Sequence, residues 1–414
     1  MDDVLRAVAR DFGTPAYVYF VDRIRARVAE VRAAFGNRFQ LSFAVKCNPN
    51  HGLLQRLRGV VELLDVSSAG EVRRALGAGW EAARVSFTGP GKTEAELRAA
   101  LDAGVGEIVL ESVDEAELLH RLAAATRRRA RVLLRIAPAR VPRGFGLNMS
   151  GKPSQFGIDE EDLDAAVRVV AGLTRLELTG FHIYSGTQCL NAAAIVENYA
   201  IFVDLFRRAC HTHGLRPRTL IFGAGLGIPY HETDVPLDLG AVAAKTNPLL
   251  DDLTRDAAFA ATTLVLETGR YLVGEAGIYL TRVIRTKRSR GVDIAICDGG
   301  MHHHLAAAGH LGTLIQRNYR MHKVTSAPEP AAAVSYTLVG PLCTTIDTIG
   351  RQVTLPQLAA GDLIAIESSG AYGATVSPIH FISHPLPHEV LVETVDGNLL
   401  VEDASQFAAE STRP

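Results

Sequence analysis

Leu41-Ser-Phe-Ala-Val-Lys-Cys-Asn-Pro-Asn50 reads as a short buried strand closed by a lysine, with the turn signal Asn-Pro-Asn directly after it. Burying an ammonium is costly unless something uses it. A desolvated lysine such as Lys46 has a depressed pKa and becomes a nucleophilic amine, which a Schiff base with a carbonyl cofactor requires. Read plainly, the same lysine runs its stem along the surface and places its charge in water. The company it keeps along the chain decides between the two readings.

Outward from this strand, short apolar runs at residues 41–45, 60–66, 84–88, 107–110, 131–136, 177–183, 219–222 and 263–266 read as strands. Helical periods at 67–77, 92–103, 113–128, 160–173 and 191–213 lie between them. Strands followed by helices at this spacing make a parallel sheet, and about eight such units suggest a closed β/α barrel of the TIM type. After about residue 270 the texture changes. Strand-like runs at 271–287, 293–297, 333–339, 362–367 and 389–396, joined by Gly- and Pro-rich loops, predict a second, mainly antiparallel β domain. The opening segment Thr14-Pro-Ala-Tyr-Val-Tyr-Phe20 is also strand-like and is expected to join that sheet. The fold class is therefore α/β, with a barrel over 26–268 and a β domain drawn from 1–25 and 269–414. Residues 138–156 have no period and read as a long loop, of a kind usually functional or mobile.

Composition narrows the partners. A 414-residue chain with 47% hydrophobic and 21% charged residues has ample core for two domains. A net charge of -2 gives no support for nucleic acid or an anionic membrane as a partner. No apolar stretch has the length of a membrane span, and the opening residues lack the pattern of a signal peptide. The five cysteines, Cys47, Cys189, Cys210, Cys297 and Cys343, are scattered, which fits reduced thiols in the cytoplasm and argues against a zinc site. The run His302-His303-His304 has no carboxylate or cysteine set beside it, so no metal is expected there.

Three further stretches carry chemistry. In Phe222-Gly-Ala-Gly-Leu-Gly-Ile228 the glycines let a backbone wrap an anion; a plain strand-to-helix turn is the competing reading. Leu266-Glu-Thr-Gly-Arg-Tyr271 offers a carboxylate, Glu267, able to hold a pyridine nitrogen protonated, or a simple Glu267–Arg270 ion pair. His182-Ile-Tyr-Ser-Gly-Thr-Gln188 places an imidazole to stack on a ring and Ser185 to bind phosphate, although a lone histidine is often structural.

In this order, these segments resemble the fold-type III pyridoxal-phosphate decarboxylases, the family of diaminopimelate, ornithine and arginine decarboxylases. The matching stretches are Phe43-Ala-Val-Lys46, Asp65-Val-Ser-Ser-Ala-Gly-Glu71, His182 with Ser185, the glycine loop at 223–227, Glu267-Thr-Gly-Arg270, Asp298-Gly-Gly-Met301, the stretch from Gly340 to Asp347, and Gly370-Ala-Tyr-Gly373. The resemblance implies an alanine-racemase-like barrel plus a β domain, paired as a homodimer with two shared active sites. It implies pyridoxal 5'-phosphate held by Lys46, with Glu267 at the pyridine nitrogen and His182 stacked on the ring. Ser185, the amides of Gly225 and Gly227, Gly269, Arg270 and Tyr372 would surround the phosphate, with Asp65 and Arg135 close by. Cys343 would come from the partner subunit and protonate the carbanion after carbon dioxide leaves, a role suited to a thiol. Arg270, Thr344 and Asp347 would contact the substrate.

The departures bear on the substrate. Diaminopimelate and ornithine decarboxylases carry an acid after this cysteine to hold a distal ammonium; here the residue is Thr344. A substrate with a free distal amine would lose a charge-assisted contact worth ~1.5–3 kcal/mol. The Arg-Pro-x-Leu-Tyr type stretch of diaminopimelate enzymes is replaced by residues 302–320. The patterns Gly340-Pro-Leu-Cys-Thr344 and Gly146-Leu-Asn-Met-Ser-Gly-Lys-Pro-Ser-Gln-Phe-Gly157 look more like a biosynthetic subgroup, some of whose members act on aminoacyl groups tethered to a carrier protein. Arg140, Arg143 and Lys152 in the long loop offer cations to a carboxylate, a phosphopantetheine arm or an acidic carrier, or are simply solvated. Two alternatives stay open: meso-diaminopimelate decarboxylation, and a racemase of the same fold using Lys46 and a tyrosine as opposed bases.

Overall fold

Strand β1 (Ala16–Phe20) belongs to the β domain, and the next eight strands close the barrel. These are β2 (Gln40–Ala44), β3 (Leu63–Val66), β4 (Val85–Phe87), β5 (Glu107–Leu110), β6 (Ala130–Ala137), β7 (Leu176–Ile183), β8 (Thr219–Gly223) and β9 (Thr263–Thr268). Each pairs in parallel with its neighbours in chain order, and β9 returns to β2 with Glu267 opposite Ser42. The computed structural model describes residues 1–310, 317–325 and 332–405. Helices packed on the outside satisfy the apolar outer face of every strand, which is why the strands read as continuous apolar runs. Several start on side-chain caps, with Ser68, Thr93, Ser112 and Asn191 each accepting the otherwise unpaired backbone N–H three residues on.

The β domain comprises β1 with β10 (Gly277–Ser289), β11 (Val292–Cys297), β12 (Met321–Val324), β13 (Ala333–Val339), β14 (Thr348–Pro356), β15 (Leu363–Ile366), β16 (His388–Val395) and β17 (Asn398–Asp403). Most pairings are antiparallel; β1 with β16 and β11 with β13 are parallel. As expected, the opening strand joins this sheet, lying between β10 and β16.

Some expectations need correction. Residues 271–276 are not strand: Arg270–Val273 is a helix and Gly274–Ala276 a 3-10 turn, because the apolar run packs on the helix Val21–Phe35. That helix runs unbroken from Val21 to Phe35. Residues 60–61 form a turn on Leu57 before β3 begins. The helix Leu239–Arg255 was not anticipated and continues through Pro248, held by the burial of Val242, Thr246, Leu250 and Leu253. The long loop is not free: Leu147–Asn148 pairs antiparallel with Gly186–Thr187. Among the described residues, no helix is long and apolar enough to cross a membrane.

The two domains meet where β10 starts. Ser369 N–H donates to the Gly277 carbonyl at 2.8 Å, and the Gly370 carbonyl accepts from Asn48 Nδ2 at 2.9 Å, two residues past Lys46. A Cβ on Gly277 would lie 2.2 Å from Gly370 Cα. Gly277→Ala should therefore cost about 2–3 kcal/mol in urea unfolding through overpacking, and displace the loop carrying Tyr372.

Candidate active site

Period-two alternation on the barrel strands decides which side chains meet. Val109, Leu133, Ile221 and Val265, with Leu63 against them, form an apolar plug inside the barrel. Two residues further along the same strands come Asp65, Glu111, Arg135, Gly223 and Glu267, on the same side and one layer higher. His182 joins this layer from β7, opposite Arg135 on β6 and Ile221 on β8. Strand β2 lies between β3 and β9, so the 3-10 turn Val45–Cys47 that follows it sets Lys46 between the acids of those two strands.

Lys46 Nζ is 3.8 Å from Asp65 Oδ2 and 3.8 Å from Glu267 Oε1. Glu267 Oε2 accepts from His182 Nε2 at 2.9 Å, and Asp65 Oδ1 accepts from Thr88 Oγ1 at 2.6 Å. Burial alone would depress the Lys46 ammonium, as the sequence suggests. The charges of Glu267 and then Asp65 outweigh it and hold Lys46 above the ordinary lysine value. The expectation of a depressed pKa is thus reversed, because two carboxylates face one ammonium. Burial works on Glu267 in the opposite sense, but the Lys46 charge and the His182 hydrogen bond bring it down to about 2. Burial and the neighbouring Glu267 push Asp65 well above the usual carboxylate range. Burial lowers His182, so a neutral imidazole donates its Nε2–H to an ionised Glu267. Of the two coupled acids, Glu267 holds its charge to lower pH, and Asp65 takes up a proton more readily.

The other end of the cleft is cationic. Arg270 Nη1 donates to Tyr230 Oη at 2.6 Å, and its guanidinium lies 4.7 Å from the centroid of the Tyr372 ring. Tyr372 sits at φ 54°, a strained conformation for a side-chain-bearing residue, and its N–H bonds the Cys47 carbonyl. Gly225 (φ 66°) makes room for Phe145 of the long loop: a Cβ there would lie 2.6 Å from Phe145 Cε1. The cleft is bounded by Lys46, Tyr184, Gly225, Glu267, Arg270 and Tyr372, with Gly269 also lining it.

Other expected residues lie elsewhere. Arg135 does not line the cleft: it donates to Glu111 Oε1 at 2.9 Å, and its guanidinium lies 4.7 Å from the Phe156 ring centroid. The Gly227 N–H is taken by the Cys189 carbonyl at 2.9 Å, leaving Gly225 and Leu226 as the loop residues that line the cleft. Asp347 was expected at the substrate, yet its carboxylate is buried and accepts from the backbone N–H of Met301 and Leu342, so it shapes the loop that carries Cys343. Cys343 is exposed, and neither it nor Thr344 lines the cleft of its own chain. His303 and His304 bond Pro385 O and Ser369 Oγ. Among the described residues, no cluster of His, Cys, Asp or Glu is placed to hold a metal ion. Sequence reasoning missed Thr88, Glu111, Phe145, Thr187 and Tyr230; only Tyr184, two residues after His182, carried a signal in its spacing.

A barrel whose mouth holds a lysine between two acids, with an arginine and glycine turns at the far end, is the frame of an enzyme that binds a phosphorylated aldehyde. The chain belongs to the pyridoxal-dependent decarboxylase family, whose pyridoxal-binding domain matches residues 21–274. It is an amino-acid decarboxylase that depends on pyridoxal phosphate. It is 36% identical, over 94% of this chain and 90% of the other, to the L-glutamyl-[BtrI acyl-carrier protein] decarboxylase of Niallia circulans. It is 33% identical to the diaminopimelate decarboxylase of Zymomonas mobilis, over the same shares of the two chains. The diaminopimelate decarboxylase of Helicobacter pylori, solved with L-lysine, superposes with a TM-score of 0.83 at 25% identity, covering 98% of this chain and 99% of that one. The cleft fits the cofactor. Asp65 Oδ2, His182 Nδ1, Ser185 Oγ and Arg270 Nε are buried without a hydrogen-bond partner, a donor and acceptor set suited to a phosphorylated pyridine.

The depressed Glu267 carboxyl stabilises the fold fully above its ordinary value near 4.5, and this contribution fades as pH falls towards 2. Glu267→Gln should cost about 2–3 kcal/mol at pH 7, with ionisation of Asp65 replacing part of the lost charge. In urea unfolding, the gap between wild-type and variant midpoints should hold from pH 7 to about 5 and close as pH is lowered further towards 2.

Proposed function

We propose that this enzyme removes the α-carboxylate from an amino acid that lacks a free distal amine, presented as a conjugate to a carrier protein. The observation that carries this reading is Thr344, which follows Cys343 where a distal ammonium would need an acid. The likeness to a decarboxylase named for a carrier-bound glutamyl group supports it. Lys46 would hold the cofactor through its side-chain amine. Glu267, held towards its ionised form and oriented by His182, would keep a proton on the pyridine nitrogen, and His182 would face the ring. Ser185, Gly225, Gly269, Arg270 and Tyr372 would hold the phosphate, with Gly227 fixing the loop and Asp65 and Arg135 supporting the acids and histidine behind it. When bound, pyridoxal phosphate supplies a sink for the electrons of the broken Cα–carboxylate bond. Cys343 Sγ then gives its proton to Cα and recovers one from solvent, with Thr344 and Asp347 setting that loop beside the substrate.

Because Cys343 lies outside the cleft of its own chain, the complete site is read as composite, made with a second copy. Ile346, three residues on and 51% exposed, gives that loop an apolar contact to bury. Mixing Lys46→Ala with Cys343→Ala protein should restore about a quarter of full activity, from random pairing of two-site dimers. No recovery would place the cysteine in the site of its own chain, and full activity of Cys343→Ala alone would place it outside the reaction.

Borohydride reduction should fix the pyridoxyl label on Lys46 in peptide maps; a label elsewhere would overturn the central assignment. For the substrate, kcat/KM across free diamino acids, free acidic amino acids and aminoacyl-carrier conjugates should be highest for a conjugate. Neutralising Arg140, Arg143 and Lys152 together should weaken that preference. Efficient turnover of free meso-diaminopimelate would instead make this a lysine-pathway enzyme, and change of optical rotation without carbon dioxide release would make it a racemase.

A further inference from the structure

We propose that Tyr184 is a positioning residue for Lys46, its ring face holding the lysine ammonium in the cleft whenever Lys46 is not bonded to the cofactor. The inference rests on Lys46 as the attachment point and is independent of the substrate. Tyr184 follows directly after β7 ends at Ile183, two residues beyond His182, and lines the cleft. Its ring centroid is 5.5 Å from Lys46 Nζ, within the range of cation–π attraction. The ring has this place because Gly223 is bare: a Cβ there would lie 2.3 Å from Tyr184 Cδ2.

The need for a third partner follows from the other two. Both carboxylate oxygens stand 3.8 Å from Nζ, beyond hydrogen-bond reach, so Asp65 and Glu267 attract the ammonium without fixing its direction. A carboxylate in direct contact would also compete for the lysine proton. An aromatic face does not: it attracts the ammonium, takes no proton and releases the neutral amine. Tyr184 thus bounds the region in which the free Nζ moves, keeping it within reach for reattachment.

The test removes the cofactor with hydroxylamine, adds pyridoxal phosphate back to the full-length protein, and follows reattachment to Lys46 by absorbance and borohydride-trapped peptide. Tyr184→Leu and Tyr184→Met, which lack a ring, should reattach three- to tenfold more slowly, with the pH profile of attachment shifted. Tyr184→Phe, which keeps the face and loses only the hydroxyl, should stay within twofold of the parent. Near-UV circular dichroism and urea midpoints show which variants are folded, and either ringless variant suffices for the comparison. Ringless variants that reattach at the parental rate, or a phenylalanine variant as slow as they are, would overturn the proposal. A label that maps away from Lys46 would instead overturn the assignment of the attachment site.

Discussion

One ammonium shared by two buried carboxylates organises this protein. Lys46 stands at equal distance from Asp65 and Glu267, on strands to either side of its own. Three such groups cannot all be charged in an apolar barrel at low cost, so Glu267 is held towards its ionised form and Asp65 is pushed towards its protonated one. Barrel closure is what allows it. Only because β9 returns to β2 does the last barrel strand bring its acid beside a lysine from more than two hundred residues earlier.

Around this layer lies a second set of buried charges that touches the cleft only through neighbours. Glu111 accepts from Arg135 and from the Gly157 backbone N–H, and Arg135 faces Phe156. The far end of the long loop is therefore anchored one strand from His182, while Phe145 sits against the glycine turn. A segment without secondary-structure periods is held at both ends by the residues that frame the site. Its seating and the shape of the anion-binding end are mechanically one feature.

Much of this was legible in the sequence. The barrel strands are visible because burial on both faces makes each a short apolar run, and Lys46, His182 and Glu267 interrupt or end such runs where a polar residue is hard to explain otherwise. Local reading failed where long-range contacts decide. Tyr271-Leu-Val273 has the composition of a strand and is a helix because of what it packs on. Asp347 looked available for substrate, yet backbone N–H groups of its own loop and of Met301 consume it. The raised Lys46 pKa was beyond reach from the sequence alone, since its sign depends on two acids whose distances only the closed barrel sets.

The place of β1 has a consequence for how the molecule is made. That strand is sandwiched between β10 and β16, and the helix Asp2–Asp11 buries Leu5 and Val8 in the same small core. At synthesis rates of about 5–20 residues per second, roughly 20–75 s separate the emergence of β1 from that of β16. During that interval the barrel strands can pair with one another, while the earliest-made apolar residues of the chain wait uncovered. The β domain is thus the last part to acquire its core, and for a nascent chain the stretch most in need of protection is the one synthesised first.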